Sequence, residues 1–305
     1  MHHIIAIVGP TAVGKSSLAL SLAQALSAEI VNADSRQVYR HMDIGTAKPT
    51  LADRALVPHH MIDVADPRDS FSLALFQELA RSAIRRIQDR GKQVLLVGGS
   101  GLYVWSLVEG WQVPHVPPDV EFRQQMEARA NSQGADAFYQ ELKAVDPEAA
   151  SRIHPRNVRR VVRALEVFQA TGIPYSQLQS REPPPFDTLV LGLTTDRTDL
   201  YARIDARVDR MMEAGLVEEV RGLLRMGCGL HLPAMSSVGY TQIGRYLGGD
   251  LDLPTAVQQI KYETHRLARH QYAWFRRSDP RIHWLDAGEG LIERTIQITG
   301  RRPPQ

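Results

Sequence analysis

The chain has one cysteine in 305 residues, Cys228, so no disulfide can form within it, and a lone thiol without a metal-ligand cluster fits a reducing compartment. No stretch approaches the roughly 20 consecutive apolar residues that span a bilayer. The opening "MHHIIAIVGP" is apolar for only a few residues before a Gly-Pro turn and lacks the basic start of a secretory leader. A cytoplasmic protein with no membrane association is expected. Net charge is also scarce: 36 basic residues against 34 acidic leave +2, so attraction to an anion must come from local clustering. There is no internal repeat and no low-complexity tract. What is present is a globular composition, 43% hydrophobic, long enough for one large or two modest domains.

Ile4 to Val8 is an aliphatic run ending at Gly9, and Ser16 to Leu26 carries apolar residues at helical spacing. Strand, tight turn and helix are expected in that order, opening an α/β unit. "EIVNADS" (29–35) and "QVLLVGG" (93–99) read as further strands, with a long helix from about Ser72 to Arg90 between them. Such continuous runs suit a parallel sheet covered on both faces. From Asp119 to about Ser180 only helical periodicity is found. The prolines of "SREPPPFD" (180–187) then precede a resumed strand, "TLVLGLT" (188–194). Long helices follow from Asp199, with one short strand at Ile282 to Leu285 and an irregular "GRRPPQ" tail.

The turn after the first strand fits G-x-x-x-x-G-K-[ST] through Gly9, Gly14, Lys15 and Ser16, with Pro10, Thr11, Ala12 and Val13 inside it. The glycines let backbone N–H groups converge on an anion, the following helix adds its partial positive charge, and Lys15 adds a full one. Ser16 is placed to ligate Mg²⁺. A polyphosphate is therefore the expected client, and the fold class is α/β: a P-loop NTPase-like parallel sheet covered by helices. The core is expected to be discontinuous, 1–116 and 187–305 with a helical C-terminal region, split by an all-α insertion domain at 117–186. One part of the nucleotidase pattern is missing, because the strand "QVLLV" runs into Gly98, Gly99 and Ser100 instead of an acidic metal ligand. Asp34, after the run "EIVNA", is the carboxylate best placed at a strand's carboxyl end, although a turn or cap aspartate reads the same way. Asp63 and Asp66 stay unassigned between metal site and loop.

Positive charge is clustered twice. Arg203, Arg207 and Arg210 share an arc beside the apolar stripe Leu200, Ile204, Val208 and Met211, where they either complete a diphosphate site or pair with Asp205 and Asp209 at the surface. Arg152, Arg156, Arg159, Arg160 and Arg163 lie in the insertion, and Arg266, Arg269, His270, Trp274, Arg276 and Arg277 near the end. Basic residues interleaved with aromatics suit an RNA backbone and an unstacked base, against the plainer reading of a solvated helix with a buried tryptophan.

The stretches "GPTAVGKSS", "NADSRQVYRHMDIGTAKP", "HHMIDVADP", "LLVGGSGLYV", "RRVVRALEV", "YARIDARVDRMMEAGLVEEV", "SSVGYTQI" and "RLARHQYAWFR" together resemble the tRNA dimethylallyltransferases through nearly the whole chain. The resemblance implies that residues 9–16 hold the diphosphate of dimethylallyl diphosphate, with Ser16 on Mg²⁺ and Thr11 and Arg203 completing the site. It implies that Asp34 is the general base for the amine of the adenosine 3′ of the anticodon, with Ser35, Arg36 and Gln37 around the target base and Ser100 and Arg123 on the substrate path. It maps tRNA contacts onto Arg159, Arg160, Val161, Val162 and Arg163; onto Ser237, Val238, Gly239 and Tyr240; and onto Arg266, Arg269, His270, Gln271, Trp274 and Arg276.

Two departures stand out: Ser100 where the family has Thr, and His270 before Gln271 where it has Arg. The second removes a fixed charge, because histidine is only partly protonated at neutral pH. The chain also carries no Asp-rich DDxxD stretch, so the phosphate loop would do the work that metal-bridging aspartates do in many isoprenoid enzymes. A monomer is expected. The competing readings are a small-molecule P-loop kinase, a prenyltransferase acting on AMP or ADP, and an RNA-binding protein with a vestigial loop.

Overall fold

The aliphatic run at the start is a strand because it is covered on both faces, with Ile4 to Val8 all buried. In a computed structural model, which describes residues 3–184 and 186–300, it forms β1 (His3–Val8) and leads through the glycine-rich turn into α1 (Lys15–Leu26). Then come β2 (Ala28–Asn32), α2 (Leu51–Leu56), the two-residue β3 (His59–His60), α3 (Leu73–Asp89), β4 (Gln93–Val97) and α4 (Gly101–Val108). Every residue of β2 and β4 is buried, as the unbroken aliphatic runs require. The Ser72 hydroxyl caps α3 at Leu75 N–H, and a Thr50–Asp53 capping box starts α2.

From Glu109 to Pro183 the chain forms a compact unit of its own. Five helices, α5 (Val120–Gln133), α6 (Ala135–Val145), α7 (Pro147–Arg152), α8 (Val158–Thr171) and α9 (Tyr175–Leu178), lie between β5 (Trp111–Gln112) and β6 (Ser180–Arg181), which pair antiparallel. Phe122, Met126, Phe138, Leu142, Val161 and Leu165 form its core. Asp119, Asp146 and Asn157 cap α5, α7 and α8. The ladder leaves no periodicity in the sequence because each strand has two residues.

The other unit resumes with β7 (Asp187–Thr194), α10 (Arg197–Glu213), α11 (Leu216–Arg225), α12 (Tyr240–Leu247), α13 (Leu253–Trp274), β8 (Ile282–Asp286) and α14 (Leu291–Thr299). The irregular tail expected at the end lies outside the described residues from 301 onward. Six parallel strands pair in the order β3-β2-β4-β1-β7-β8. Strand order runs outward in opposite directions on the two sides of β1. The crevice at the carboxyl ends of β1 and its neighbours is therefore where such a sheet takes its ligand. One core packs α1, α10 and α13 against the sheet through Leu18, Leu22, Leu200, Ile204 and Ala268. A second joins the 38–42 segment to the C-terminal helices through Tyr39, Met42, Val208, Val220, Tyr240 and Ile260. No described helix is long and apolar enough to cross a membrane.

Candidate active site

At the carboxyl end of β1 the glycine-rich turn wraps Lys15, whose Nζ donates to Gly9 O at 3.0 Å and Pro10 O at 2.6 Å. Burial brings this ammonium down to about 7; Asp34 partly offsets the shift and Arg207 adds to it. Helix α1 begins at Gly14 with no side-chain cap, so its first N–H groups point into the turn as an anion site does. Ser16, in the first turn of α1, is exposed and lines the same groove.

The groove holds about 560 Å³ and takes its other wall from the ends of β2 and β4. These ends approach so closely that a Cβ on Gly98 would lie 2.1 Å from Ala33 O, which explains why glycine stands where an acidic metal ligand is usual. Ser100 Oγ accepts the Ser35 N–H at 3.0 Å, and Asp34 Oδ1 accepts the Arg36 N–H at 2.8 Å. Asp34 is thus held in a tight turn beside the phosphate loop. It lines the groove together with Thr11, Lys15 and Ser16, near enough for its charge to act on both Lys15 and Arg207.

The arginine of α10 that touches the loop is Arg207. Its Nη1 donates to Thr11 Oγ1 at 3.3 Å and it lines the groove, whereas Arg203, one turn earlier on α10, is exposed and lies outside it. The loop contact expected of Arg203 is made by Arg207, one helical turn on. From α13, the Gln271 amide is also directed inward: Oε1 accepts the Thr11 N–H at 2.7 Å and Nε2 donates to Gly99 O at 3.1 Å. Gln271 is buried to 8% exposure where it lines the groove, and its amide is bonded to the loop.

The remaining expected contacts divide by exposure. Ser35, Arg36, Gln37, Ser100, Ser237, Val238, Gly239, His270 and Trp274 all line the groove. Arg36 is tethered to Pro233 O, and the Gln37 amide donates to Thr46 O and Ala47 O. Tyr240 is fully buried and donates to Glu219 Oε1 at 2.6 Å, so it supports the wall from behind. Arg266, Arg269 and Arg276 are exposed and lie outside the groove; Arg269 bonds the Tyr201 hydroxyl.

In the separate unit of residues 109–183, Arg159 and Arg160 are exposed on α8. Val161 and Val162 are corrected to core residues, because the apolar stripe of the helix carries them inward. Arg123 and Arg163 hold the buried Glu166 at 2.7 and 2.6 Å. Asp63 is engaged by Lys48 and Arg54, and Asp66 by Arg68. Glu219 and Tyr103 were not legible as part of the site. Glu219 acts through three backbone N–H groups and the Tyr240 hydroxyl, and Tyr103 reads as a core aromatic stacked on Phe76.

A parallel sheet with an anion cradle at its switch point, and a turn-held carboxylate in the same groove, is the arrangement of a phosphate-loop protein that handles a phosphorylated substrate. The sequence matches the IPP transferase family over residues 37–278 and the isopentenyl transferase family over residues 2–67. It is 56% identical to a tRNA dimethylallyltransferase of Roseiflexus castenholzii, covering 97% of this chain and 96% of that protein. The fold is similar to that of the tRNA isopentenylpyrophosphate transferase of Bacillus halodurans, with TM-score 0.72, 39% identity, and 98% and 96% of the two chains covered. It is also similar to a eukaryotic dimethylallyltransferase acting on tRNA, with TM-score 0.81, 28% identity, and 100% and 81% covered. The chain belongs to the tRNA dimethylallyltransferase family.

Proposed function

We propose that the groove transfers the dimethylallyl group of dimethylallyl diphosphate to N6 of the adenosine 3′-adjacent to the anticodon of tRNA, releasing diphosphate. The observation that carries this reading is the sharing of one groove by the anion cradle of Thr11, Lys15 and Arg207 and the Asp34 carboxylate. Transfer breaks the allylic C–O bond, forms a C–N bond to the exocyclic amine, and moves one amine proton to Asp34. Negative charge grows on the departing diphosphate, where the loop N–H groups, Lys15 and Arg207 stabilise it. The amine is a poor nucleophile, and a carboxylate accepting its proton contributes about 10²–10⁴ in rate.

Among the described residues no three His, Cys, Asp or Glu side chains cluster as a metal site. The Ser16 hydroxyl would hold Mg²⁺ together with the diphosphate oxygens, as the phosphate-loop Ser/Thr does, with water filling the remaining positions. When bound, the ion neutralises leaving-group charge. The acceptor base leaves its stack to reach Asp34, at a cost of a few kcal/mol, and the Trp274 and Tyr103 rings at the groove offer it apolar surface.

The test is to follow labelled dimethylallyl diphosphate, with Mg²⁺, into unmodified tRNA or AMP. Label is expected in tRNA alone. Label in AMP alone supports the mononucleotide enzyme, and phosphate transfer from ATP supports the kinase. Asp34→Ala is expected to abolish transfer while leaving tRNA affinity within about twofold; near-normal turnover removes Asp34 from its role.

A further inference from the structure

We infer that Gln271 is a positioning residue that fixes the spacing between the donor's phosphate loop and the acceptor-side turn, and that it makes no contact with RNA. The inference rests on the reading of the loop as the donor diphosphate site. Gln271 sits on α13 and lines the groove with its neighbours His270 and Trp274, but it is mostly buried and each end of its amide already has a partner within the protein. One end accepts the backbone N–H of Thr11 at 2.7 Å, and the other donates to the carbonyl of Gly99 at 3.1 Å. The side chain therefore bridges the tip of the phosphate loop and the Gly99–Ser100 turn.

Each end of this bridge leads to reacting groups. Thr11, fixed through its N–H by Gln271, presents Oγ1 to Arg207, so loop and arginine are registered to each other. Ser100, next to Gly99, accepts the Ser35 N–H and thereby holds the turn that carries Asp34. The bridge accordingly sets how far the leaving-group cradle stands from the base that receives the amine proton. Displacing groups by about 1 Å costs on the order of 10² in rate for reactions governed by approach geometry. Gly99 is fitted to the same bridge: a Cβ there would lie 2.2 Å from Gln271 Nε2. A side chain at position 99 and the amide at 271 cannot both occupy their places.

Gln271→Met keeps the volume and removes both hydrogen bonds. It is expected to lower kcat at saturating tRNA by about 10- to 100-fold and to raise donor KM. Affinity for tRNA, measured directly by fluorescence anisotropy, should stay within about twofold, which also certifies that the variant is folded. Gly99→Ala is expected to reproduce the kcat loss in the native background and to add little to Gln271→Ala, where the amide it displaces is already gone.

Weakened tRNA affinity with unchanged kcat would make Gln271 an RNA contact and overturn the inference, as would additive losses for Gly99→Ala and Gln271→Ala. Lys15→Met separates this from failure of the underlying reading. If Lys15→Met still binds donor normally, the loop is not the donor site and both fall. If it loses donor while the Gln271 variants turn over normally, only the positioning role falls.

Discussion

Lys15 carries two demands that oppose each other, and the conflict can be measured. Enclosure by the loop brings its ammonium down to about 7 even with Asp34 nearby, with Arg207 adding to the shift. A base whose folded value is depressed from 10.5 costs the protein stability below about pH 7, and that cost fades as pH rises toward the unfolded value. Lys15→Met should therefore stabilise the ligand-free protein by about 1–2 kcal/mol near pH 6.5 and by little near pH 10.5, in thermal melts across that range. Donor diphosphate restores the charged form, so binding at pH 8 is expected to take up close to one proton, read by calorimetry in buffers of different ionisation enthalpy. Lys15→Arg should bind with no uptake.

Arg207 makes a second residue-scale test: Arg207→Ala is expected to reduce kcat/KM for the donor by about 10²–10³, and Arg203→Ala to stay within about twofold. The choice between them was open to a finer reading of the sequence. At 100° per residue, Arg207 lies roughly 55° from the centre of the stripe Leu200, Ile204, Val208 and Met211, against roughly 95° for Arg203 and 115° for Arg210. The arginine nearest the buried face is the one that reaches the loop.

Elements whose function rests on periodicity were legible; those held by single side chains were not. The strands β1, β2, β4 and β7 and the helix α3 follow from aliphatic runs and apolar spacing, and the phosphate loop from its spacing of glycines. The segment from Arg36 to Lys48 has neither pattern, because its conformation is imposed from 175 residues away. Glu219, on α11, accepts the N–H groups of Asp43 (2.9 Å), Ile44 (2.7 Å) and Gly45 (3.1 Å) and the hydroxyl of Tyr240 (2.6 Å). Lys48, with its side chain 1% exposed, closes the other end on Asp43, Asp63 and Tyr39 O. Such a staple uses backbone groups that every residue possesses, so no residue type in the segment announces it. Glu219→Ala leaves three N–H groups and a buried hydroxyl without their acceptor. It is expected to ease local opening of this segment by about 2–4 kcal/mol, with hydrogen exchange at residues 43–45 accelerated by about 30- to 1,000-fold and β1 unaffected.

Across the whole molecule the +2 balance hides a division between arginines that hold structure and arginines available to a polyanion. Arg123 and Arg163 belong to the first kind: both ion-pair with Glu166, whose carboxyl stays below its usual range although burial works against it, because the two guanidinium groups and the Asp119 N–H favour the charged form. Removing Arg163 leaves the buried Glu166 with Arg123 as its remaining ion-pair partner, so Arg163→Ala should destabilise the unit of residues 109–183 by about 1–2 kcal/mol. Arg159 and Arg160, exposed on the same helix, belong to the second kind.

Sequence alone clusters Arg159, Arg160 and Arg163 as basic residues of one insertion, and Arg123 falls within the same stretch. Only burial separates them, through the apolar stripe of α8 that carries Val161 and Val162 into the core. If Arg159 and Arg160 each neutralise one phosphate, replacing either by alanine releases one fewer counterion on binding. The slope of log K for tRNA against log salt should then become shallower by about 1 per substitution, with kcat at saturating tRNA and melting temperature unchanged. An unchanged slope with a lowered melting temperature would move these two arginines into the structural class alongside Arg163.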